Sequence, residues 1–347
     1  MRKIRVLVVD DSVVIRRLVS MALADCPNIE VVATAPNGRI ALSKIPMYNP
    51  DLITLDIEMP VMNGLETLAM VRKNHPSLPV IMFSALTPTD ADKTLDCLSL
   101  GAQDYVTKST MGSGEAAVAY LRRHLIPKIE LFCRGIAGAS APTASASEPA
   151  GPTAPAPKLF PEAVQRVDVL VIAASTGGPN ALLEIVPQFP EDFPVPILIV
   201  QHMPRVFTEH FAKNLSEKSK IRVEEGRSGQ SLESGRAWVA PGDYHMALKR
   251  EGALRCIQTN QNPPENSCRP SADVLFRSAA EQYGPNTLAV VLTGMGQDGL
   301  RGSECIAAVG GQIVVQDEAS SVVWGMPGFV AKAGLADAVV PLNRIVA

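Results

Sequence analysis

The chain has 347 residues, 46% apolar and 19% charged, which is ordinary globular composition with core material for about two domains. Thirty-two Lys and Arg against 35 Asp and Glu leave a formal net charge of -3, so no basic excess points to nucleic acid or an anionic membrane surface. No apolar run approaches the roughly 18 residues of a membrane span. The six scattered cysteines, without a C-x-x-C pair or a cluster with His, fit free thiols in a reducing cytosol. A cytoplasmic monomer without membrane insertion is expected.

The opening MRKIRVLVVDDS is interrupted by Arg5 and too short to act as a signal peptide. Ile4–Asp10 reads instead as a buried strand, and Val13–Cys26 as a helix with Ser12 as its N-cap. Strand-like runs follow at Glu30–Ala35, Leu52–Asp56, Val80–Ser84 and Asp104–Thr107, each succeeded by a helix-like stretch, the last over about Glu115–Phe132. Five βα units predict a parallel sheet covered on both faces. Gly135 to Pro157 is almost entirely Ala, Pro, Ser, Gly and Thr. Such a segment buries too little to offset its ordering entropy, and a linker is expected. The chain divides accordingly into a first domain over 1–125, a helix end plus linker over 126–166, and a second domain over 167–347.

In the second domain the βα rhythm resumes. Val169–Ala174 and Ile197–Val200 read as buried strands and Thr208–Lys218 as a helix. Arg236–Gln258 looks like hairpins. Ser271–Tyr283 reads as a helix capped by Ser271, Leu288–Leu292 and Ile313–Val315 as strands, and Leu300–Ala308 as a helix. Both domains belong to the α/β class, the second doubly wound and mostly parallel.

Ligands of open parallel sheets sit at the carboxyl ends of the strands. In the first domain Asp10 and Asp11 end one strand, Asp56 another and Ser84 a fourth, and Lys108 follows the fifth. Any one of these could serve as a turn or helix cap. Together they make three carboxylates, a hydroxyl and an ammonium, an oxygen-rich set suited to Mg²⁺, in which Asp56 could attack a phosphoryl group.

In the second domain three strand ends carry Ser175, His202 and Asp298. A hydrolytic serine needs a base for its proton and a carboxylate to orient that base. Each of the three also has a structural use, as a cap or a satisfied core histidine. The run Gly294–Gly299 (GMGQDG) is in addition a G-x-G-x-x-G, with Asp317 18 residues beyond it, near the acidic position of a dinucleotide fingerprint. Against a cofactor there, Asp298 would repel a pyrophosphate at the helix N-terminus.

VVDDS, LDIEMPVMNG, FSA and YVTKS resemble the response-regulator receiver domain over residues 1–125. The resemblance implies a flavodoxin-like (βα)5 fold, phosphorylation at Asp56 and Mg²⁺ binding by Asp10, Asp11 and Asp56. It also implies switch roles for Ser84, Tyr105 and Lys108. The family usually has proline after that lysine; here Ser109 follows. ASTGGP, QHMP, APGDYHM, RPSADVLFRSAA and TGMGQDG, in this order, resemble the effector domain of the chemotaxis protein-glutamate methylesterases from about Val167 onward. That implies Ser175 as nucleophile, His202 as general base and acid, and Asp298 as orienting carboxylate. Thr176 and Met295 would shape the oxyanion region.

The implied reaction is hydrolysis of methyl esters on receptor glutamates with release of methanol, with deamidation of selected receptor glutamines by the same machinery and no cofactor for the esterase step. The implied partners are methyl-accepting chemotaxis receptors as substrates and a chemotaxis-type histidine kinase as phosphodonor. Phosphorylation at Asp56 is expected to relieve a restraint on access to Ser175. The competing reading is a receiver-controlled dinucleotide-binding or non-catalytic interaction module.

Overall fold

The computed structural model describes residues 2–85, 87–108, 114–134 and 166–346. The expected linker at Gly135–Pro157 and the loop carrying Ser109 lie outside the described residues. The chain divides into two compact units, Met1–Gly151 and Pro152–Ala347.

In the first unit, β1 (Ile4–Val9), β2 (Ile29–Ala35), β3 (Leu52–Asp56), β4 (Val80–Ser84) and β5 (Asp104–Thr107) form one sheet in the order β2-β1-β3-β4-β5. Every pairing is parallel. Helices on both faces bury β3, β4 and β5 completely, which is why these strands read as continuous rather than alternating apolar runs. The helix starts follow local chemistry. The Ser12 hydroxyl accepts from Ile15 N–H, Asn37 from Ile40 N–H, and Asn63 forms a capping box with Glu66. The expected last helix is two, Glu115–His124 and Ile126–Phe132. Pro127 has no N–H to offer the Arg123 carbonyl, and the helix is interrupted at Leu125.

In the second unit, seven strands form a wholly parallel sheet in the order β14-β13-β12-β6-β7-β9-β8. These are β6 (Val169–Ala174), β7 (Ile197–Gln201), β8 (Arg222–Glu225), β9 (Arg236–Val239), β12 (Thr287–Val291), β13 (Gln312–Gln316) and β14 (Ala338–Val340). Among the strands of the described residues, only β10 (His245–Glu251) and β11 (Leu254–Asn260) pair antiparallel, as a hairpin. The expected hairpins over Arg236–Gln258 are therefore corrected at their start. Arg236–Val239 pairs in parallel with β7, because Ala237, Trp238 and Val239 are buried and a solvent-facing hairpin would waste them. The short strands β8 and β14 went unforeseen. β8 is the charged edge RVEE, a composition that discourages further pairing but carries little strand signal. No described helix is long and apolar enough to cross a membrane.

The chemistry-bearing strands are central. β6 lies between β12 and β7, with Val291 opposite Ala173 and Ala174 opposite Gln201. The ladder continues one step beyond the strands: Ser175 N–H donates to the Thr293 carbonyl at 3.0 Å, and His202 N–H to the Ala174 carbonyl at 3.2 Å. The chain passes from β6 to β7 on one side and returns to β12 on the other, so this edge is a topological switch point.

Candidate active site

Two polar clusters stand at strand ends, one in each unit. In the first, Lys108 Nζ lies 2.6 Å from Asp56 Oδ1 and 2.8 Å from Asp10 Oδ2. Carboxylate oxygens of Asp10, Asp11 and Asp56 lie within 4.8 Å of one another. Asp10 Oδ1 accepts from Ser12 N–H at 2.9 Å, while Asp10 Oδ2 is buried with an ionic neighbour and no hydrogen bond of good geometry. Burial, then the charge of Asp10, push the Asp56 carboxyl up to about 6 although Lys108 pulls the other way. Burial likewise raises Asp10. Burial opposes the Lys108 ammonium, but Asp10 and Asp56 outweigh it and hold the group above its ordinary value. Thr94 Oγ1 donates to Ser84 Oγ at 2.7 Å, and Ser84 Oγ donates to the Ala85 carbonyl. Thr94, one turn into the helix Pro88–Ser99, was not foreseen. Tyr105 is buried in the same sheet, and burial drives its phenol well above the usual range.

In the second unit the strand ends carry Ser175, His202 and Asp298 as expected. His202 Nε2 hydrogen-bonds Asp298 Oδ2 at 2.8 Å. The other ring nitrogen, Nδ1, faces Cys268 Sγ at 3.6 Å. Ser175 Oγ makes no hydrogen bond among the described residues, so of the three expected groups the structure brings His202 and Asp298 into contact, while Ser175 follows the end of the neighbouring strand β6. The expectation that no cysteine clusters with a histidine is corrected: Cys268 is 66 residues from His202 in the chain, and only the fold brings them together.

The turn after β6 depends on glycine. Gly177 has φ 78°, and a Cβ there would meet Val322 at 2.6 Å. Gly294 lets the β12 loop reach the serine: a Cβ on it would lie 2.9 Å from Ser175 Cβ and 2.3 Å from Met326 Sδ. Buried amides hold both loops. Gln201 Nε2 donates to the Ser175 carbonyl at 3.1 Å, and Gln316 Oε1 accepts from Thr293 N–H at 2.8 Å. The N–H groups of Thr176 and Met295 donate to no other group among the described residues. Thr176 is buried and the Met295 side chain is exposed.

Asp298 is surrounded by donors. Besides His202, it accepts from Ser271 Oγ at 2.7 Å, Ala272 N–H at 2.6 Å, Asp273 N–H at 3.2 Å and Asn266 Nδ2 at 3.2 Å. Burial works to raise this carboxyl, but the hydrogen bond and charge of His202, with Ser271 and Ala272, win and hold it well below the usual carboxylate range. Burial opposes the His202 imidazolium, yet its hydrogen bond to Asp298 and the facing Cys268 leave it above its ordinary value.

Asp298 does not cap the helix Leu300–Ala308 that follows it. It sits at the N-terminus of the helix Ala272–Tyr283, while Asp273 from that helix accepts from Gly299 N–H at 3.0 Å and Gly302 N–H at 2.7 Å. The two aspartates cap each other's helices. This overturns the dinucleotide reading, because the amides a pyrophosphate would need already hold the Asp273 carboxylate. It also explains Ser271: the residue stands at the N-cap position, but its hydroxyl goes to Asp298 rather than to its own helix. Ser271 was legible as a helix start; Asp273 was not singled out, and Asn266 and Cys268, on an irregular turn, carried no readable signal.

Residues 170–347 match the CheB methylesterase family, and residues 6–117 match the response regulator receiver domain. A protein-glutamate methylesterase/protein-glutamine glutaminase of Trichodesmium erythraeum is 52% identical over 346 residues, covering 99% of this chain and 97% of that one. One of the same description from a Nocardioides species is 48% identical over 350 residues, covering 99% and 93%. Among solved structures, the CheB methylesterase catalytic domain of Thermotoga maritima is 38% identical with a TM-score of 0.51, covering 52% of this chain and 96% of that one.

Proposed function

This chain belongs to the CheB methylesterase family with an N-terminal receiver domain, and from that premise we propose that Ser175, His202 and Asp298 carry its chemistry. It is a phosphorylation-regulated hydrolase that removes methyl esters from glutamate side chains of chemoreceptors and deamidates receptor glutamines. A kinase supplies its phosphoryl group. We take the catalytic unit as 167–347, the receiver as 1–125 and the acting species as a monomer.

The observation that carries the assignment is the His202–Asp298 hydrogen bond of 2.8 Å on strands flanking the one that ends in Ser175. With Nε2 paired to Asp298, we assign Nδ1, which faces Cys268 Sγ at 3.6 Å in the free protein, as the atom that takes the Ser175 proton as the serine attacks the ester carbonyl. Free enzymes often lack the nucleophile–base hydrogen bond and form it with substrate. The oxyanion then faces the uncommitted N–H groups of Thr176 and Met295. His202 returns its proton to the departing methanol, and water hydrolyses the glutamyl-enzyme by the reverse transfer. Ammonia replaces methanol in deamidation. The test is trapping: a methylated receptor peptide should acylate wild-type protein and His202→Ala slowly, but Ser175→Ala not at all. Acylation of Ser175→Ala would refute the assignment.

In the receiver, the crowded carboxylates, which among the described residues Lys108 alone must balance at 2.6 Å from Asp56 and 2.8 Å from Asp10, suit a hard divalent cation. Asp10, Asp11 and Asp56 would hold Mg²⁺, which when bound neutralises charge on the transferred phosphoryl group. Asp56 is the acceptor of that group, and Lys108 pairs with its oxygens. Ser84, now tied to Thr94 and Ala85, turns to the new phosphoryl oxygen, and Tyr105 repacks behind it.

A further inference from the structure

The geometry points to a second metal site of different chemistry: His202 and Cys268, backed by Asp298, form a seat for a borderline-soft divalent ion such as Zn²⁺, whose binding silences the catalytic imidazole. Zinc bonds nitrogen at about 2.0–2.1 Å and thiolate sulfur at about 2.3 Å, so tetrahedral ligands of these types stand roughly 3.5 Å apart. Cys268 Sγ and His202 Nδ1 are 3.6 Å apart. A ligand atom of Asp298 lies within 4.8 Å of each of the others.

The surroundings are those of a metal-binding histidine. With Nε2 hydrogen-bonded to Asp298, Nδ1 is the ring nitrogen turned toward the sulfur, and a carboxylate behind a ligating imidazole fixes its tautomer and raises its basicity. Asp298 is itself held by Asn266, Ser271 and Ala272. The sulfur is also placed firmly. Cys268 and Glu265 exchange backbone hydrogen bonds of 2.8 and 3.2 Å across a two-residue turn, in which Asn266 and Ser267 have φ 51° and 62°. That turn presents the thiol to the ring.

The contrast with the receiver is one of ligand type. Three carboxylates there suit hard cations, whereas imidazole plus thiolate selects zinc-like ions. On binding, the Cys268 proton and the Nδ1 proton of any His202 present as imidazolium leave to solvent, and the Nδ1 lone pair is consumed. His202 then cannot accept the serine proton, and inhibition is reversed by a chelator.

The experiment uses the full chain with excess Mg²⁺ to occupy the receiver pocket. Cd²⁺ is titrated while the ultraviolet thiolate–metal absorption is followed, and Zn²⁺ while methanol release is followed, each variant being compared with its own metal-free rate. The expected result is a Cd²⁺ band that is lost in Cys268→Ser and weakened at least tenfold in affinity in His202→Ala. The Zn²⁺ concentration for half-inhibition should rise at least tenfold in Cys268→Ser. A full band in Cys268→Ser would assign the metal to another thiol, such as the partly exposed Cys26 or Cys305, and overturn the proposal. An undiminished band in His202→Ala would overturn the chelate. The band does not require turnover and reads the site independently of the esterase assignment.

Discussion

Two buried aspartates at strand ends meet opposite fates. Asp56 is 4% exposed and Asp298 is 2% exposed, so solvent does not distinguish them. Asp56 has one cation, Lys108, and two other carboxylates for company; its carboxyl is pushed up to about 6. Asp298 has one imidazole, a hydroxyl, a side-chain amide and two backbone N–H groups of a helix start, and its carboxyl is held far down. Hydrogen-bond donors and a helix N-terminus stabilise an anion in place, whereas like charges leave it wanting a partner. The receiver pocket is unfinished by the protein and completed from outside, by a cation and a phosphoryl group. The pocket of the second unit is finished by the protein itself, whose own donors surround the Asp298 carboxylate, as the proposed orienting role requires.

The largest test of that contrast is in the finished pocket. Ser175→Ala should lower kcat for methanol release by about 10⁶-fold, and Asp298→Asn by about 10⁴-fold, by analogy with a related triad. Both proteins should remain folded, since Ser175 lies just beyond the end of β6 and asparagine keeps the shape of Asp298 and an acceptor oxygen for the donors around it. Equal losses for the two would mean that Asp298 does more than orient His202. The same variant carries a pH signature. Asp298 holds His202 above its ordinary value, so the imidazolium persists on raising pH and the free base needed for attack appears late. The acid limb of kcat/KM should therefore lie at higher pH in wild type than in Asp298→Asn; an unmoved limb would break the link between the pair and the titration.

A smaller effect is expected for Asn266→Ala, which removes one of the donors to Asp298 and leaves the rest. A net hydrogen bond to a charged group is worth about 1.5–3 kcal/mol, so kcat should fall roughly 10–100-fold with KM little changed. A change confined to KM would place Asn266 in substrate binding instead.

In the unfinished pocket the sign reverses and the size is modest. Because the folded-state value of Asp56 is raised, its contribution to stability is full below the ordinary carboxylate value and is lost as pH rises through about 6. At neutral pH without divalent cation, Asp56→Asn should raise the stability of the receiver by about 1–3 kcal/mol, measured by denaturant unfolding. Added Mg²⁺ should stabilise wild type more than the variant. A destabilised Asp56→Asn would show that the Lys108 pair outweighs the repulsion.

Smallest in energy is the coupling between units. A tenfold rise in esterase rate on phosphorylation needs only about 1.4 kcal/mol of differential stabilisation. Asp56→Asn should stay at the basal rate when phosphodonor and Mg²⁺ are added, and deletion of residues 1–135 should raise that rate. A truncated chain no faster than the intact one would replace restraint by positive activation.

What the sequence by itself determined is everything carried by local chemistry. Buried parallel strands announce themselves as apolar runs such as VLVIAA, and polar residues at or beyond their carboxyl ends mark the candidate sites: Asp10, Asp56, Ser175, His202 and Asp298 were all singled out this way. Ser12 and Asn63 caps lie within four residues of what they cap. What only the tertiary structure decided is pairing between distant segments. The exchanged caps of Asp273 and Asp298 join positions 25 residues apart, and Cys268 reaches His202 from 66 residues away. Neither pairing leaves a periodicity or a spacing to read, because a hydrogen bond across a fold is set by where two backbones come to rest. For the same reason RAWV could be seen to be a strand but not to be parallel: its direction was fixed by the neighbour it packed against.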